Sequence, residues 1–152
     1  MLMQHFQNPS EEEIKSLLEH VRTIAVVGLS PRPSRPSHLV ASNLKRFGYR
    51  IVPVRPAVEQ VLGEKAYASL REVPDKIDMV NVFRAPEHVD AIVDDCIALG
   101  IKAIWLQDGV VNEPAAVKAR AAGITVVMDR CVYRDYVHFF GRAPRSGLST
   151  PA

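Results

Sequence analysis

Short apolar runs ended by glycine or a charged residue alternate along this chain with stretches whose apolar residues recur every three or four positions. Thr23-Ile24-Ala25-Val26-Val27-Gly28 is the clearest run, continuous in its hydrophobicity and stopped by glycine, as suits a strand buried on both faces. Residues 49–54, 79–83, 103–106 and 124–128 repeat that grammar, each brief and rich in β-branched side chains. Between them, Val89, Ile92, Val93, Cys96 and Ile97 fall on one helical face. Leu39, Val40, Leu44 and Phe47 predict a second amphipathic helix with those four inward. Ser10 followed by Glu13 reads as a capping box ahead of Ile14, Leu17, Leu18 and Val21. Gly48, Gly100 and Gly123 each close a helical stretch, and Asn112 before Glu113-Pro114 opens another. The order is helix, then β-α-β, a short link, and β-α-β-α-β. Such alternation builds an α/β domain of three layers, with a mostly parallel five-stranded sheet, right-handed crossovers and helices on both faces.

The link over 57–78 is less regular. Short helical turns are expected at 59–62 and 68–72, with Pro74 breaking the chain before the third strand. The final stretch, 142–152, is rich in Gly, Pro and Ser and reads as a mobile tail. The expected organisation is one domain over 1–141, with a core at 23–131 and an N-terminal helix near 10–21.

Composition narrows the function classes. With 152 residues and 47% hydrophobic content the chain suits one globular domain with a two-sided core. The net charge of +2 is small and the two signs are interspersed, so a nucleic-acid partner is not expected. The N-terminus shows no basic region leading into an apolar run, and no stretch approaches the roughly 18 to 20 apolar residues that cross a bilayer. A cytoplasmic protein without membrane contact is the expectation. Cys96 and Cys131 are too few for a disulfide framework and lack CxxC spacing, which fits a reducing compartment and argues against structural zinc.

In a doubly wound sheet the ligand lies beyond the C-terminal strand ends, where strand order reverses. The loops at 28–37, 55–57, 84–86, 107–112 and 129–131 are therefore the ones to inspect. The first reads Gly28-Leu29-Ser30-Pro31-Arg32-Pro33-Ser34-Arg35-Pro36-Ser37 and runs into a helix. Helix-start amides, Arg32, Arg35, Ser34 and Ser37 are donors suited to phosphate oxygens, against the plainer reading of a proline-stiffened surface turn. It lacks the GxGxxG pattern, so a dinucleotide of the NAD type is not supported. Arg55 stands where NAD-binding folds place an acid for the ribose hydroxyls, and a cation there favours a phosphorylated ribose, as in coenzyme A or NADP; a solvated arginine is the alternative. Phe83-Arg84 could flank an adenine, or be a core aromatic beside a surface cation. Gly109 could let backbone approach a ligand, or simply turn the chain. Cys131 neighbours Arg130 and precedes His138, but spacing places neither His138 nor His88 beside it as a base, and it reads as a packed small hydrophobe with no catalytic assignment. His5, His20 and His38 show no metal-ligand spacing.

Six segments in order, GLSPRPSRPS, IVPVRP, VLGEKAYASL, VNVFRAPE, WLQDGVVNE and GITVVMDRC, resemble the small stand-alone coenzyme A-binding domains, relatives of the N-terminal domain of the succinyl-CoA synthetase α subunit. The resemblance spans about 23–131 and implies a Rossmann-like fold with coenzyme A across the strand ends. It further implies that Gly28, Ser30, Arg35, Pro36 and Ser37 form a diphosphate turn and that Arg55 and Pro56 face the adenosine 3′-phosphate. Val82, Phe83 and Arg84 would lie against the nucleotide, and Gln107 and Gly109 near the pantetheine arm. Arg55 departs from the asparagine common in that family. The synthetase's phosphorylated histidine belongs to a second domain for which this chain has no room, so the resemblance implies a protein that binds coenzyme A or acyl-CoA without a complete ligase apparatus. The competing readings are an NADP-dependent redox protein or sensor on the same fold, and a partner-binding subunit that uses the N-terminal helix or the aromatics Tyr133, Tyr136, Phe139 and Phe140. Covering the sheet edge is the other use for those aromatics.

Overall fold

The capping box at Ser10 forms: the Glu13 amide donates to Ser10 Oγ at 3.2 Å, and the Ser10 amide donates to the Glu13 carboxylate at 3.2 Å. This starts helix α1 (Glu11–His20) in the computed structural model, which describes residues 5–144. There follow β1 (Thr23–Val27), α2 (Pro36–Arg46), β2 (Arg50–Val54), β3 (Gln60–Val61), β4 (Glu64–Lys65), β5 (Met79–Val82), α3 (Val89–Leu99), β6 (Ala103–Leu106), α4 (Glu113–Ala121), β7 (Thr125–Met128) and α5 (Val132–Phe140). Single 3-10 turns at 70–72 and 86–88 precede β5 and α3. The five longer strands pair in parallel in the order β2-β1-β5-β6-β7, a Rossmann-like sheet.

Successive strand residues serve opposite layers, as the period of two requires. Ala25, Val27, Val80, Val82, Ile104 and Leu106 pack with the inner faces of α3 and α4. Ile24, Val26, Met79, Trp105 and Val127 pack with α1, α2 and α5. Because both faces are covered, the strands read as unbroken apolar runs rather than as alternation. Pro53 sits in β2, at the edge of the sheet, where a missing amide is tolerated.

Three expectations need correction. Leu39 is 58% exposed, because α2 buries Ser37, Val40, Ala41 and Leu44, and residue 39 lies on the other side of that stripe. Ile97 is 41% exposed: Val89, Ile92, Val93 and Cys96 fill the face that meets the sheet and leave it at the margin. The turn expected at 59–62 is instead part of a hairpin, Gln60 pairing with Lys65 and Val61 with Glu64. Its two-residue loop, Leu62-Gly63, has φ of 56° and 75°, the doubly positive geometry of a type I′ turn. Lys45 of α2 secures it by donating to the Leu62 carbonyl at 2.6 Å and pairing with Glu64 at 3.1 Å.

The aromatic segment after β7 covers the sheet. Tyr136 is fully buried and stacks on Phe47 with ring centroids 4.0 Å apart and planes 8° apart, with Tyr49 edge-on. Its hydroxyl donates to the Ala143 carbonyl at 2.9 Å, and Arg142 donates to Tyr133 Oη at 2.8 Å, so the residues just after α5 fold back on it. The rest of the expected tail, from 145 on, lies outside the described residues. Among the described residues no helix is long and apolar enough to cross a membrane.

Tyr136 joins α5 to α2 and to the base of β2, so its truncation leaves a cavity that rigid neighbours cannot fill. Tyr136→Ala should destabilise the fold by about 3 to 5 kcal/mol. Chemical denaturation would show this as a lowered midpoint at unchanged slope.

Candidate functional site

The chain leaves β1 toward one edge, builds β2 there, then crosses back to place β5 on the other side of β1. The loops after β1 and β5 therefore diverge, opening the crevice in which ligands of doubly wound sheets bind. Gly28 stands at that point with φ +87°, and a Cβ built on it would lie 2.5 Å from the Phe83 carbonyl oxygen. Its amide donates to the Val54 carbonyl at 2.9 Å, while the Phe83 amide donates to the Val27 carbonyl at 2.9 Å. Three strand ends are thus drawn together by one residue without a side chain.

The turn that follows is ordered by its serines. The Ser30 amide donates to Ser37 Oγ at 2.9 Å, and the Arg32 amide donates to Ser30 Oγ at 3.1 Å. Ser30 and Ser37 are buried, so they shape the turn from beneath while Arg32 and Arg35 stand exposed above it. Arg35 is the N-cap of α2 and supplies no side-chain cap, leaving the Ser37 amide at the helix start without a partner among the described residues. The turn, Arg55 and Phe83 enclose a cleft of about 590 Å³.

Beyond Pro36 and Phe83, which line both spaces, lies an inner chamber of about 490 Å³ walled by Val40, Val110, Arg84, Gln107, Asp108 and Cys131. Its floor is set by Gln107, which is 4% exposed. Gln107 Oε1 accepts from the Val132 amide at 3.0 Å and from Asn81 Nδ2 at 3.4 Å. The backbone donor fixes the orientation of the amide, and Gln107 Nε2 has no partner among the described residues. Asn81 Oδ1 is buried and also without a partner.

Ion pairs brace the rim. Arg134 forms two hydrogen bonds of 2.9 Å to Asp108, which hold the Asp108 carboxyl below its ordinary value and raise the guanidinium. A lowered carboxyl acts on stability in one direction: the pair's contribution is whole above the ordinary value of 3.8 and is lost as pH falls below it. Arg130 holds Asp135 through bonds of 2.6 and 2.9 Å, and its carbonyl accepts from Trp105 Nε1 at 2.8 Å. Asp129, at φ 60°, accepts from the Gly109 amide at 2.8 Å and ties the loop after β7 to the loop after β6.

Four cations at these strand ends behave differently. Among the described residues no hydrogen bond or ion pair engages the guanidinium of Arg32, Arg35, Arg55 or Arg84. Elsewhere Arg50, Arg71, Arg130 and Arg134 are each matched to an aspartate.

The structure gathers Gly28, Ser30, Arg35, Pro36, Ser37, Arg55 and Phe83 around the cleft, and Arg84 and Gln107 around the chamber. Pro56 and Gly109 are exposed beside these spaces without lining them, and Val82 is fully buried in the layer under α3 and α4. Asn81 went unnoticed in the sequence, although one amide inside the apolar run 79–82 was the available signal. Val40, Asp108, Val110 and Cys131 also enter the chamber wall. Among the described residues no three His, Cys, Asp or Glu side chains group to hold a metal ion.

A family model described as a CoA binding domain matches residues 22–136. The chain belongs to the CoA-binding domain family. It is 44% identical over 126 residues to the uncharacterized protein YneT of Bacillus subtilis, covering 83% of this chain and 93% of that one. It is also 31% identical over 87 residues to an ADP-forming acetate–CoA ligase II of Archaeoglobus fulgidus, covering 56% of this chain but 13% of the ligase. Among solved structures, a hypothetical protein from Pyrococcus horikoshii superposes with a TM-score of 0.85 at 35% identity, covering 91% of this chain and all of that one.

Gly28 has no room for a side chain. Gly28→Ala would force the Phe83 carbonyl aside and place a side chain at positive φ, and should cost about 1 to 3 kcal/mol, read as a lowered melting temperature.

Proposed function

We propose that this protein binds coenzyme A or an acyl-CoA in the cleft and chamber, and that its role is that of a binding protein. The observation that carries this reading is the set of four unengaged arginines at the switch point of a doubly wound sheet. Single exposed arginines are commonly solvated, but four gathered beside the free Ser37 amide at the start of α2 suit a ligand bearing several phosphate charges. The family membership and the likeness to one region of CoA ligases support the same ligand.

In this reading Arg35, with Arg32 and the Ser37 amide, takes the diphosphate. Arg55, across the cleft at the end of β2, takes the adenosine 3′-phosphate, and Phe83 with Arg84 flanks the nucleotide. The pantetheine arm passes between Pro36 and Phe83 into the chamber, where Gln107 Nε2 can donate to an amide carbonyl. Coenzyme A supplies a thiol that carries acyl groups as thioesters; the residues here hold and orient it. Two unpaired cysteines fit a reducing, cytoplasmic setting.

Coenzyme A should raise the melting temperature where NAD does not, since a ligand of the native state stabilises by about 2.7 kcal/mol at a hundred times its Kd. Arg35→Ala should weaken coenzyme A roughly ten- to a hundredfold by calorimetry, the loss of one charge-assisted bond worth about 1.5 to 3 kcal/mol. Stability without ligand should change by less than about 0.5 kcal/mol. Arg55→Ala should weaken coenzyme A more than dephospho-coenzyme A, which lacks the 3′-phosphate. A shift with NAD alone, or undiminished affinity in Arg35→Ala, would overturn the assignment.

A further inference from the structure

The inner chamber is lined by a thiol that simple binding leaves unused. Cys131 lines it beside Gln107, at the junction of β7 and α5, and is a free thiol. The chamber also carries an independent sign of a ligand. Gln107 is 4% exposed, its oxygen is committed to Val132 and Asn81, and among the described residues no protein group meets its Nε2 where the side chain lines the chamber. A largely buried amide whose donor meets no protein group in a cavity wall can donate to an acceptor that enters the cavity. A chain that satisfies Gln107 is carried to the wall that Cys131 shares.

We infer that Cys131 captures the coenzyme A thiol as a mixed disulfide, by exchange with a disulfide form of coenzyme A seated in the channel. This rests on the binding reading above and adds a covalent, reversible step to it. The Cys131 thiol loses its proton to solvent and its sulfur attacks the coenzyme A sulfur of a mixed disulfide between coenzyme A and a small thiol. A bond forms between Sγ and that sulfur as the original S–S bond breaks. The electron pair leaves on the small thiol, which takes up a proton. One disulfide is consumed and one is made, so the step needs no further oxidant. A reducing thiol reverses it, and the protein then holds coenzyme A covalently under oxidising conditions and by binding alone under reducing ones.

The second cysteine is a built-in control. Cys96 lies on α3, on the opposite face of the sheet, fully buried, with burial and the Asp95 charge pushing its thiol up to about 12. It should remain unmodified in the native protein.

The native protein would be treated with the 2-thiopyridyl mixed disulfide of coenzyme A and, separately, with 2,2′-dithiodipyridine, which has the same leaving group and no nucleotide. Release of thiopyridone is followed by absorbance, and the product by intact mass and peptide mapping. The expected result is saturable release at least about tenfold faster with the coenzyme A reagent, as proximity predicts. One coenzyme A should be added on the peptide carrying Cys131, none on that carrying Cys96. Dithiothreitol should remove the adduct, excess coenzyme A should slow its formation, and Cys131→Ser should not form it. If calorimetry shows coenzyme A bound but the reagent reacts no faster than dithiodipyridine, or the adduct maps elsewhere, the inference is overturned and the binding reading stands. If coenzyme A does not bind at all, the binding reading itself has failed, and the inference with it.

Discussion

The Phe83 carbonyl oxygen occupies the space that a β-carbon on residue 28 would need, 2.5 Å away, and the arrangement of the strand ends follows from that close approach. β1 and β5 became neighbours only because the chain crossed the sheet after β2, and their last residues must meet where two loops part in opposite directions. A side chain at residue 28 would hold them apart at the mouth of the cleft. With glycine, the amides of residues 28 and 83 are satisfied by the carbonyls of Val54 and Val27, and no polar backbone group at the junction goes unmet on their account.

From that junction the site divides by chemistry. On the outer side, serines buried beneath the turn fix its path while arginines are left standing above it. On the inner side the wall is apolar at Val40, Phe83 and Val110, and its polar groups are the buried Gln107, the half-buried Arg84 and the exposed Asp108. That gradient, from exposed cations to a more apolar chamber that carries an amide donor and a thiol, suits an elongated ligand that is charged at one end and amphiphilic at the other. The bracing pairs Arg134 with Asp108 and Arg130 with Asp135 keep the rim's other cations occupied, which leaves Arg32, Arg35, Arg55 and Arg84 as the charges a ligand meets.

Much of this was legible in the sequence, for identifiable reasons. All five runs taken as strands became strands, because burial on both faces leaves an apolar signature that no other element of this length shares here. Asn112 caps α4, its side chain accepting from the Ala115 amide at 3.1 Å, and Gly100 ends α3 in the left-handed conformation, since caps are local chemistry. The turn at 28–37 could be located because a strand end and a helix start bracket it. What stayed hidden depends on distant partners. The spacing of Leu39 suits an inward position, but the packing partners of α2 turn the stripe of Ser37, Val40, Ala41 and Leu44 inward instead. The hairpin went unread because Leu62 is not a residue that favours positive φ, and its conformation is held by Lys45. The pairing of Gln107 with Val132 and Asn81 joins residues 25 and 26 positions apart, beyond any local pattern.

The unengaged arginines also set how stability and binding are linked. Before a ligand arrives, four like charges gather at one end of the sheet, and their mutual repulsion opposes folding to the extent that solvent and salt fail to screen it. Exposed charges are screened over about 8 Å at physiological ionic strength, so the penalty stays modest while Arg32 and Arg35 remain in water. A polyphosphate ligand reverses the sign of that interaction at the same residues, relieving repulsion and adding attraction together. Salt acts on the two states in opposite directions: it eases the repulsion in the free protein and weakens the attraction in the complex. The difference in stability between free and bound protein must therefore shrink as ionic strength rises. On the proposed binding reading the apolar chamber, whose contribution salt does not screen, would carry a growing share of the affinity, so that the arginines would govern capture and the chamber retention.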